Sequence, residues 1–159
     1  MIRPKPKPAK GSPPPRKRSK SERQLLEKQL YDLTSIYVRR RDGKCVTCGT
    51  TAELTMSHWQ KAGKQRARYD LRNVNAQCAR CNQLHNRWTG PYNLYMEKHY
   101  SSADRIEINE WASINEWKWP VIELRQMVKD IYAQVCGVDD QYSKRVDQII
   151  AKNDTWNEA

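Results

Sequence analysis

Two Cys-x-x-Cys pairs, Cys45-Val-Thr-Cys48 and Cys78-Ala-Arg-Cys81, constrain this chain more than any other feature, and 29 residues separate them. In a reducing compartment this spacing predicts metal binding rather than disulfides. Four thiolates suit a tetrahedral zinc ion with no open coordination position, so a structural zinc site is expected. The fifth cysteine, Cys136, lies in the apolar run "IYAQVCG" and is predicted to be a core thiol rather than a nucleophile.

Positive charge is concentrated in two segments of the chain, which carries a formal net charge of +11. Residues 1–20 hold eight Lys or Arg and no acid, and residues 39–90 hold eleven against three acids. Such a field predicts a polyphosphate partner, and therefore a nucleic acid. The alternative is a basic surface that only keeps the protein in solution.

The overall composition favours one small domain with appendages. The chain has 159 residues, of which 38% are hydrophobic and none is Phe. No run approaches the ~20 apolar residues of a membrane span. The basic N-terminus has no apolar segment after it, which argues against a secretory signal. A cytoplasmic protein without a membrane partner is expected.

The first 42 residues divide into an arm and a helix. Residues 1–20 contain six of the eight prolines and are predicted to form a disordered basic arm. Ser21-Glu-Arg-Gln24 is typical of a helix-opening capping box. Leu26, Leu30 and Leu33 follow at helical spacing, so an N-terminal helix is assigned to residues 21–42, with its regular part ending near residue 40 before Gly43.

The rest of the chain is predicted to be a small core followed by helices. In the core, residues 43–100, a strand is expected at 53–58, a second in "VNAQC" and a helix from "ARCNQLHNRW". The C-terminal region, 101–159, is expected to be helical, with one helix opened by Pro120 and stopped by Gly137 and a last one at 140–152. Packing in the core, rather than base stacking, is favoured for Trp111, Trp117 and Trp119. The fold class is therefore α+β, mostly helical.

The segment between the cysteine pairs contains residues suited to phosphodiester hydrolysis. That reaction needs a base to deprotonate water and a cation to stabilise the leaving oxygen. A neutral imidazole suits the first task near pH 7, and His58 falls on the first predicted strand. Mg²⁺ prefers oxygen ligands and retains several waters, and Asn82 falls in the predicted helix.

The order of these residues resembles a zinc-knuckled HNH nuclease, also called a ββα-metal or His-Me finger nuclease. Within that group it is most similar to the NinG/Rap recombination family of lambdoid phages. The resemblance rests on Ser57-His58 and on "NVNAQCARCN" at 73–82, and it covers about residues 30–100. It implies a zinc-knuckled ββα-metal core flanked by N- and C-terminal helices. It also implies an endonuclease that cuts branched DNA, such as Holliday junctions, in the cytoplasm of the phage's host.

The resemblance also implies roles for individual residues. His58 becomes the general base and Asn82 a Mg²⁺ ligand (with Mn²⁺ as an expected substitute). Asn73 joins them in the catalytic set, and ordering of the loop over the site is favoured for it over contact with the metal. The phage endonuclease VII resolvases have a similar motif, but they carry Asp where this chain has Ser57. The second Mg²⁺ ligand therefore stays open among His85, Asn86 and Asp70. Packing for His58 and helix capping for Asn82 are the structural alternatives.

Ten basic residues are predicted to contact DNA phosphates. They are Arg39, Arg40, Arg41, Lys61, Lys64, Arg66, Arg68, Arg72, Arg80 and Arg87. Resolving a junction needs two cuts, so a homodimer is expected, and recombination proteins are candidate partners. Two rival functions remain open: an HNH nuclease for restriction, homing or packaging, and an inactive zinc-ribbon accessory protein that binds DNA.

Removal of residues 1–20 should weaken DNA binding because eight cations disappear. The slope of log K against log[salt] should fall by up to about 0.9 for each phosphate that the arm would otherwise neutralise. Affinity measured at several salt concentrations, for the full and shortened chains, checks this. An unchanged slope would show that the arm does not bind DNA.

Overall fold

The computed structural model describes residues 20–136 and contains five helices and one two-stranded sheet there. The elements are α1 Glu22–Asp42, β1 Leu54–His58, β2 Val74–Cys78, α2 Ala79–His85, α3 Gly90–His99, α4 Ser102–Ser113 and α5 Val121–Cys136. The predicted α+β, mostly helical class is confirmed for this part. Most of the expected arm, the Gly137 stop and the helix at 140–152 lie outside the described residues. None of the described helices is long and apolar enough to cross a membrane.

Helix α1 begins and ends as its local signals predict. The Ser21 side chain accepts from the Gln24 backbone N–H, and the Gln24 side chain accepts from the Ser21 N–H, which completes the capping box. At the other end Gly43 has φ of 63°, a left-handed conformation that glycine adopts without strain, and its N–H donates to the Arg39 carbonyl. The helix ends at Asp42, two residues beyond the predicted regular part.

The main apolar contact joins α1 to α5. Leu30 and Leu33 of α1 pack with Leu124, Ile131 and Val135 of α5, and all five side chains are buried. Helix α5 begins directly after Pro120, whose carbonyl accepts from the Leu124 N–H. Cys136 is partly buried against this cluster, as expected for a core thiol.

The sheet is a single antiparallel pair that lies between helices. Leu54 pairs with Cys78 and His58 with Val74, and every residue of β2 is buried. One face, with Met56, Val74 and Ala76, packs against Val38 of α1. This contact explains why an otherwise marginal two-stranded sheet is stable here.

The opposite face of the sheet is polar, and helix α3 satisfies it. Asn75 donates from Nδ2 to the Tyr92 hydroxyl over 3.1 Å, and that hydroxyl donates to the Ser57 carbonyl over 3.2 Å. Burial raises the pKa of Tyr92, so its hydroxyl remains a donor. The buried side chains of Asn75 and Tyr92 are therefore paired with each other, as a stable interior favours.

Helix α4 was not delimited by the sequence pattern, which indicated only general helicity after residue 100. Its start carries a second capping box, formed by Ser101 and Asp104. Its buried residues Ile108 and Ala112 pack with Tyr92 and Met96 of α3. This packing fixes α3, which in turn covers the polar face of the sheet.

The expectation that the tryptophans pack inside the protein is confirmed for two of the three. Trp111 packs against the α3–α4 cluster, and Trp119 packs against the α1–α5 core and donates from Nε1 to the Gln65 carbonyl over 2.8 Å. Trp117 packs edge-on against Trp119, with ring centroids 5.6 Å apart.

Candidate metal centre and hydrolytic site

The four cysteines of the two pairs come together in space. Their sulfur atoms all lie within 4.8 Å of one another, and the Cys48 and Cys78 sulfurs are 3.8 Å apart. A tetrahedral zinc ion with Zn–S bonds of about 2.3 Å needs sulfurs about 3.8 Å apart, so this donor set fits the ion. The cluster can hold a structural metal ion such as zinc, as the spacing of the pairs predicts.

Local backbone contacts position the cysteines. A turn closed by the Gly49 N–H on the Cys45 carbonyl forms the first knuckle, and Gly49 adopts φ of 78° there. The Val46 N–H donates to the Ala76 carbonyl, which fastens this knuckle to β2. Cys78 ends β2 and caps α2, because its sulfur accepts from the Cys81 N–H.

The surroundings of Cys45 favour its thiolate form. Burial alone would raise the pKa of Cys45, but hydrogen bonds from backbone N–H groups, those of Cys48 and Cys78 foremost, lower it to about 7. Burial and the neighbouring cysteine sulfurs raise the pKa of Cys81. One thiol close to deprotonation at neutral pH suits a site that binds a cation.

Asn82 faces strand β1 from the first turns of α2. The Ser57 hydroxyl donates to Asn82 Oδ1 over 2.9 Å, and Asn82 Nδ2 donates to the Thr55 hydroxyl over 3.2 Å. Both hydroxyls lie on the same face of β1, since residues two apart in a strand point the same way. Thr55 was not among the residues predicted from the sequence, although strand alternation from Ser57 could have indicated it.

The donor set around Asn82 is made of neutral oxygens. An amide oxygen and the Ser57 hydroxyl suit a hard cation, but a carboxylate would bind Mg²⁺ more strongly. Among residues 20–136, only the four cysteines form a cluster of three or more classical metal ligands. Two neutral oxygens would make a weak site for Mg²⁺, whose remaining ligands would have to be water and substrate oxygens.

His58 ends β1 with its imidazole in a defined orientation. Nε2 lies 3.1 Å from the Arg68 carbonyl oxygen. Because a carbonyl can only accept, the neutral ring donates from Nε2 and leaves a lone pair on Nδ1. Burial lowers the pKa of His58 to about 4, and the charge of Arg68 lowers it further by a smaller amount, although the hydrogen bond to the Arg68 carbonyl acts in the opposite direction. The ring is therefore neutral at pH 7.

Asn73 closes the basic loop between the strands from inside. Its Oδ1 accepts from the Gln60 N–H over 2.7 Å, and its Nδ2 donates to the carbonyls of Gln60 and Ala67 over 3.1 and 2.9 Å. The side chain is fully buried. Asn73 thus joins Gln60 and Ala67, the two ends of the loop. The residue after Ala67 is Arg68, whose carbonyl contacts His58.

The three candidates for a second Mg²⁺ ligand are placed differently. His85 is buried, lies 3.2 Å from the Trp59 carbonyl through Nε2 and packs edge-on against Tyr92. Asp70 forms an ion pair with Arg72 at 2.7 Å. Asn86 is exposed at the C-terminal end of α2. The side-chain oxygen in contact with Asn82 Oδ1 is instead the hydroxyl of Ser57.

The predicted DNA-contacting residues fall into two groups, one of which is used inside the fold. Arg41 donates to the Leu71 and Val74 carbonyls, and Arg72 pairs with Asp70, Asp104 and Glu107. These acids raise the pKa of Arg72, which keeps its charge. Three more donate hydrogen bonds: Arg39 to the Ser35 carbonyl, Arg40 to the Val135 carbonyl and Lys64 to the Asn115 side chain. Arg66 lies over the Trp111 and Trp117 rings, and Arg68 lies over the Tyr69 ring.

The second group is exposed. Lys61, Arg80 and Arg87 project from the surface and take part in no ion pair among the described residues. Arg80 lies on α2, which also carries Asn82, and Arg87 lies just beyond the end of that helix. DNA contact remains a prediction for all ten residues, and it is strongest for these three because their charge is not neutralised by a neighbouring acid.

Comparison with known proteins identifies the family. The model of the family described as bacteriophage lambda NinG protein matches residues 6–141. The chain belongs to the NinG family. It is similar to the NinG proteins of Escherichia phage 933W (30% identical over 126 residues) and Escherichia phage lambda (29% over 127). These alignments cover 75% and 73% of this chain, but only 60% and 62% of the two phage proteins. No solved structure matches.

The NinG match contains the four cysteines, and metal content should depend on them. Purified protein should carry about one zinc ion per chain, and Cys81→Ser should lose it and unfold the 43–85 segment. Elemental analysis and hydrogen exchange measure the two effects. Cys136→Ser, outside the cluster, should keep the zinc. Metal-free protein that is fully folded would contradict the assignment.

Replacing Asn73 should loosen the basic loop. Asn73→Ala leaves the N–H and the carbonyl of Gln60 without partners, at a cost of about 1–3 kcal/mol for each group that stays buried, and it removes one of the two donors to the Ala67 carbonyl. Hydrogen exchange should accelerate at residues 60–68, and the free energy of unfolding in urea should fall. Asn109→Ala is the matched control, because exposed Asn109 also bonds to Gln60, but only to its side chain. Equal effects of the two substitutions would refute the role given to Asn73.

Proposed function

We propose that this NinG-family protein is a metal-dependent endonuclease that cuts branched DNA, such as Holliday junctions, during phage recombination. The observation that carries the proposal is the orientation of His58. Its Nε2 is committed to the Arg68 carbonyl, and its Nδ1 keeps a lone pair, on a ring that is neutral at pH 7. A general base needs a free basic nitrogen held in a fixed direction.

The surrounding elements also support the proposal. Strand β1, strand β2 and helix α2 follow one another in the order that the resemblance to HNH nucleases implies. The residue next to His58, Ser57, contacts Asn82 across the strand–helix boundary at 2.9 Å. The proposed base and the proposed cation site are thus carried by consecutive residues of one strand, and hydrolysis of one phosphate requires both groups.

In the proposed reaction, His58 Nδ1 takes a proton from a water molecule as that water attacks the phosphorus. The bond from phosphorus to the 3′ oxygen breaks, that oxygen takes up a proton from solvent, and the ends produced are a 5′-phosphate and a 3′-hydroxyl. His58 then returns its proton to solvent. The Asn82 amide oxygen and the Ser57 hydroxyl would hold Mg²⁺, which supplies positive charge opposite the departing oxygen.

Asn73 acts in this scheme as a positioning residue. It holds the loop whose Arg68 carbonyl fixes the His58 tautomer. The exposed cations Lys61, Arg80 and Arg87 would contact the DNA backbone, which carries charge but no sequence information. Two symmetric cuts at a junction would require a homodimer.

Ser57 is the observation that favours a second candidate function. A neutral hydroxyl stands beside Asn82, where the endonuclease VII resolvases have an acid, and this weakens cation binding. The alternative is therefore a zinc-stabilised accessory protein that binds recombining DNA without cutting it. Cuts in linear duplex at defined sequences would instead favour restriction, homing or packaging.

A cleavage assay with matched variants tests the proposal. With Mg²⁺ or Mn²⁺, wild type should cut synthetic four-way junctions and flaps in preference to linear duplex. His58→Ala should lower the rate by about 10²–10⁴-fold, the usual contribution of a general base. Asn82→Ala should raise the Mg²⁺ concentration needed for half-maximal cutting.

His99→Ala is the control for the loss of a histidine. His99 is exposed and stacks on Tyr95, so its removal should leave the cleavage rate unchanged. Wild type that binds junctions but cuts no DNA with either metal would establish the accessory function. Equal rates for wild type and His58→Ala would show that another group activates the water.

A further inference from the structure

A cleft lies beside the cysteine cluster, on the far side of α2 from β1. It has a volume of about 240 Å³, and its walls include Cys48 of the first knuckle, Leu84 of α2 and Trp88 and Tyr92 around the start of α3. We refer to it as the knuckle cleft. Sites for drug-sized ligands have volumes of about 300–1,000 Å³. The knuckle cleft therefore has room for one planar ring system rather than for a larger molecule.

Trp88 is the most prominent side chain of the cleft. It is 65% exposed, and neighbouring Leu84 is 44% exposed, which is unusual for side chains this large and apolar. A Cβ at position 90 would lie 3.0 Å from the indole Nε1, so the absence of a side chain at Gly90 allows the indole to lie against the backbone. The ring lies beside the Gly90 backbone and presents most of its surface to solvent.

The rim of the cleft is positively charged. Arg80 lines it, and Arg87, just beyond the end of α2, lines an adjoining depression together with Arg80 and Leu84. Neither arginine takes part in an ion pair within residues 20–136, and no Asp or Glu lines the cleft. This charge is complementary to a phosphate chain.

The interior of the cleft suits the face of a ring rather than its hydrogen-bonding edge. Gln77 and His85 also line it, and each has a polar atom without a hydrogen-bond partner, Oε1 and Nδ1 respectively. Both atoms are covered from solvent. The accessible wall is therefore mainly apolar, and it would accept any of the four nucleobases with little discrimination.

We propose that the knuckle cleft receives one unstacked nucleobase at the branch point of the DNA. The base stacks on Trp88, while Arg80 and Arg87 contact the adjacent phosphates. This inference rests on the proposed function, because branched DNA is the substrate proposed there. Junctions and flaps offer bases that can leave the stack at low cost, whereas regular duplex does not. Trp88 would thus give selectivity for DNA structure without reading sequence.

The placement of the cleft on α2 relates it to the proposed hydrolytic site. Asn82 points from α2 toward β1, whereas Leu84 lies on another side of the same helix and Trp88 lies beyond its end. A helix with its side chains is about 10–12 Å across. The captured base and the cation site would therefore lie on either side of one helix, so that capture at a branch also sets where the cut falls.

Binding of the full protein to junctions without added Mg²⁺ tests the proposal. One four-way junction is intact, and the others each lack a base at one position next to the branch point. Trp88→Ala should weaken binding to the intact junction roughly 5- to 100-fold, as expected when one base–aromatic stack is removed. For wild type, one abasic position should cause a decrease of similar size. For Trp88→Ala, that same position should make no further difference.

Two variants complete the experiment. Trp88→Tyr keeps an aromatic ring and should retain most of the affinity, and Leu94→Ala removes another exposed apolar side chain, 68% exposed on α3, and should bind like wild type. Equal affinity of Trp88→Ala and wild type would overturn the inference. Weaker binding that does not depend on the abasic position would do the same. A change in sedimentation with unchanged DNA affinity would show that a second copy of the chain covers the cleft.

The proposed function can fail separately from this inference. If wild type cuts junctions in the presence of Mg²⁺ while Trp88→Ala shows no change in binding, the nuclease proposal stands and the cleft is not a base site. If wild type binds junctions with the expected dependence on Trp88 but never cuts them, the cleft belongs to a DNA-binding accessory protein.

Discussion

The convergence of four sulfur atoms is the interaction on which the rest of the middle segment depends. It joins the turn after α1 to the end of β2 and the first turn of α2. A structural zinc site of this kind contributes about 10–16 kcal/mol at pH 7, as much as the whole stability of a typical domain. The metal would therefore determine whether α2 begins where it does. Because Asn82 directly follows Cys81, the same ion would fix the direction of its side chain toward β1.

The candidate hydrolytic residues lie on a sheet too small to be stable alone. Two strands of five residues bury one face against α1 and the other against α3, and the second face is polar. Its stability depends on pairing Asn75 with Tyr92, since a buried amide without a partner costs about 1–3 kcal/mol. Helices α3 and α4 thus act on the site indirectly. They hold the strand that carries Ser57 and His58.

Features set by neighbouring residues could be predicted from the sequence. The capping box at Ser21 depends on contacts within three residues, and the cysteine spacing limits the possible metal geometry. The destinations of the arginines could not be predicted in the same way. Arg72 meets Asp104, 32 residues away, so its neutralisation depends on how α4 packs. A count of charges along the chain treats Arg72 and Arg80 alike. In the described part of the chain, however, Arg72 is paired with acids, whereas Arg80 is exposed and forms no ion pair.

The neutral donors around Asn82 have a consequence for how metal and DNA would bind under the proposed mechanism. With Ser57 in place of an acid, this chain supplies no carboxylate at that contact, and the DNA phosphate becomes the main anionic ligand. Cation affinity and DNA affinity are then coupled, and the coupling is the same in both directions. The exposed arginines at the two ends of α2 and the stacking surface of Trp88 would bring the phosphate into place first. In such an arrangement, recognition of the branch would precede assembly of the cation site, and duplex that is not captured would escape cutting.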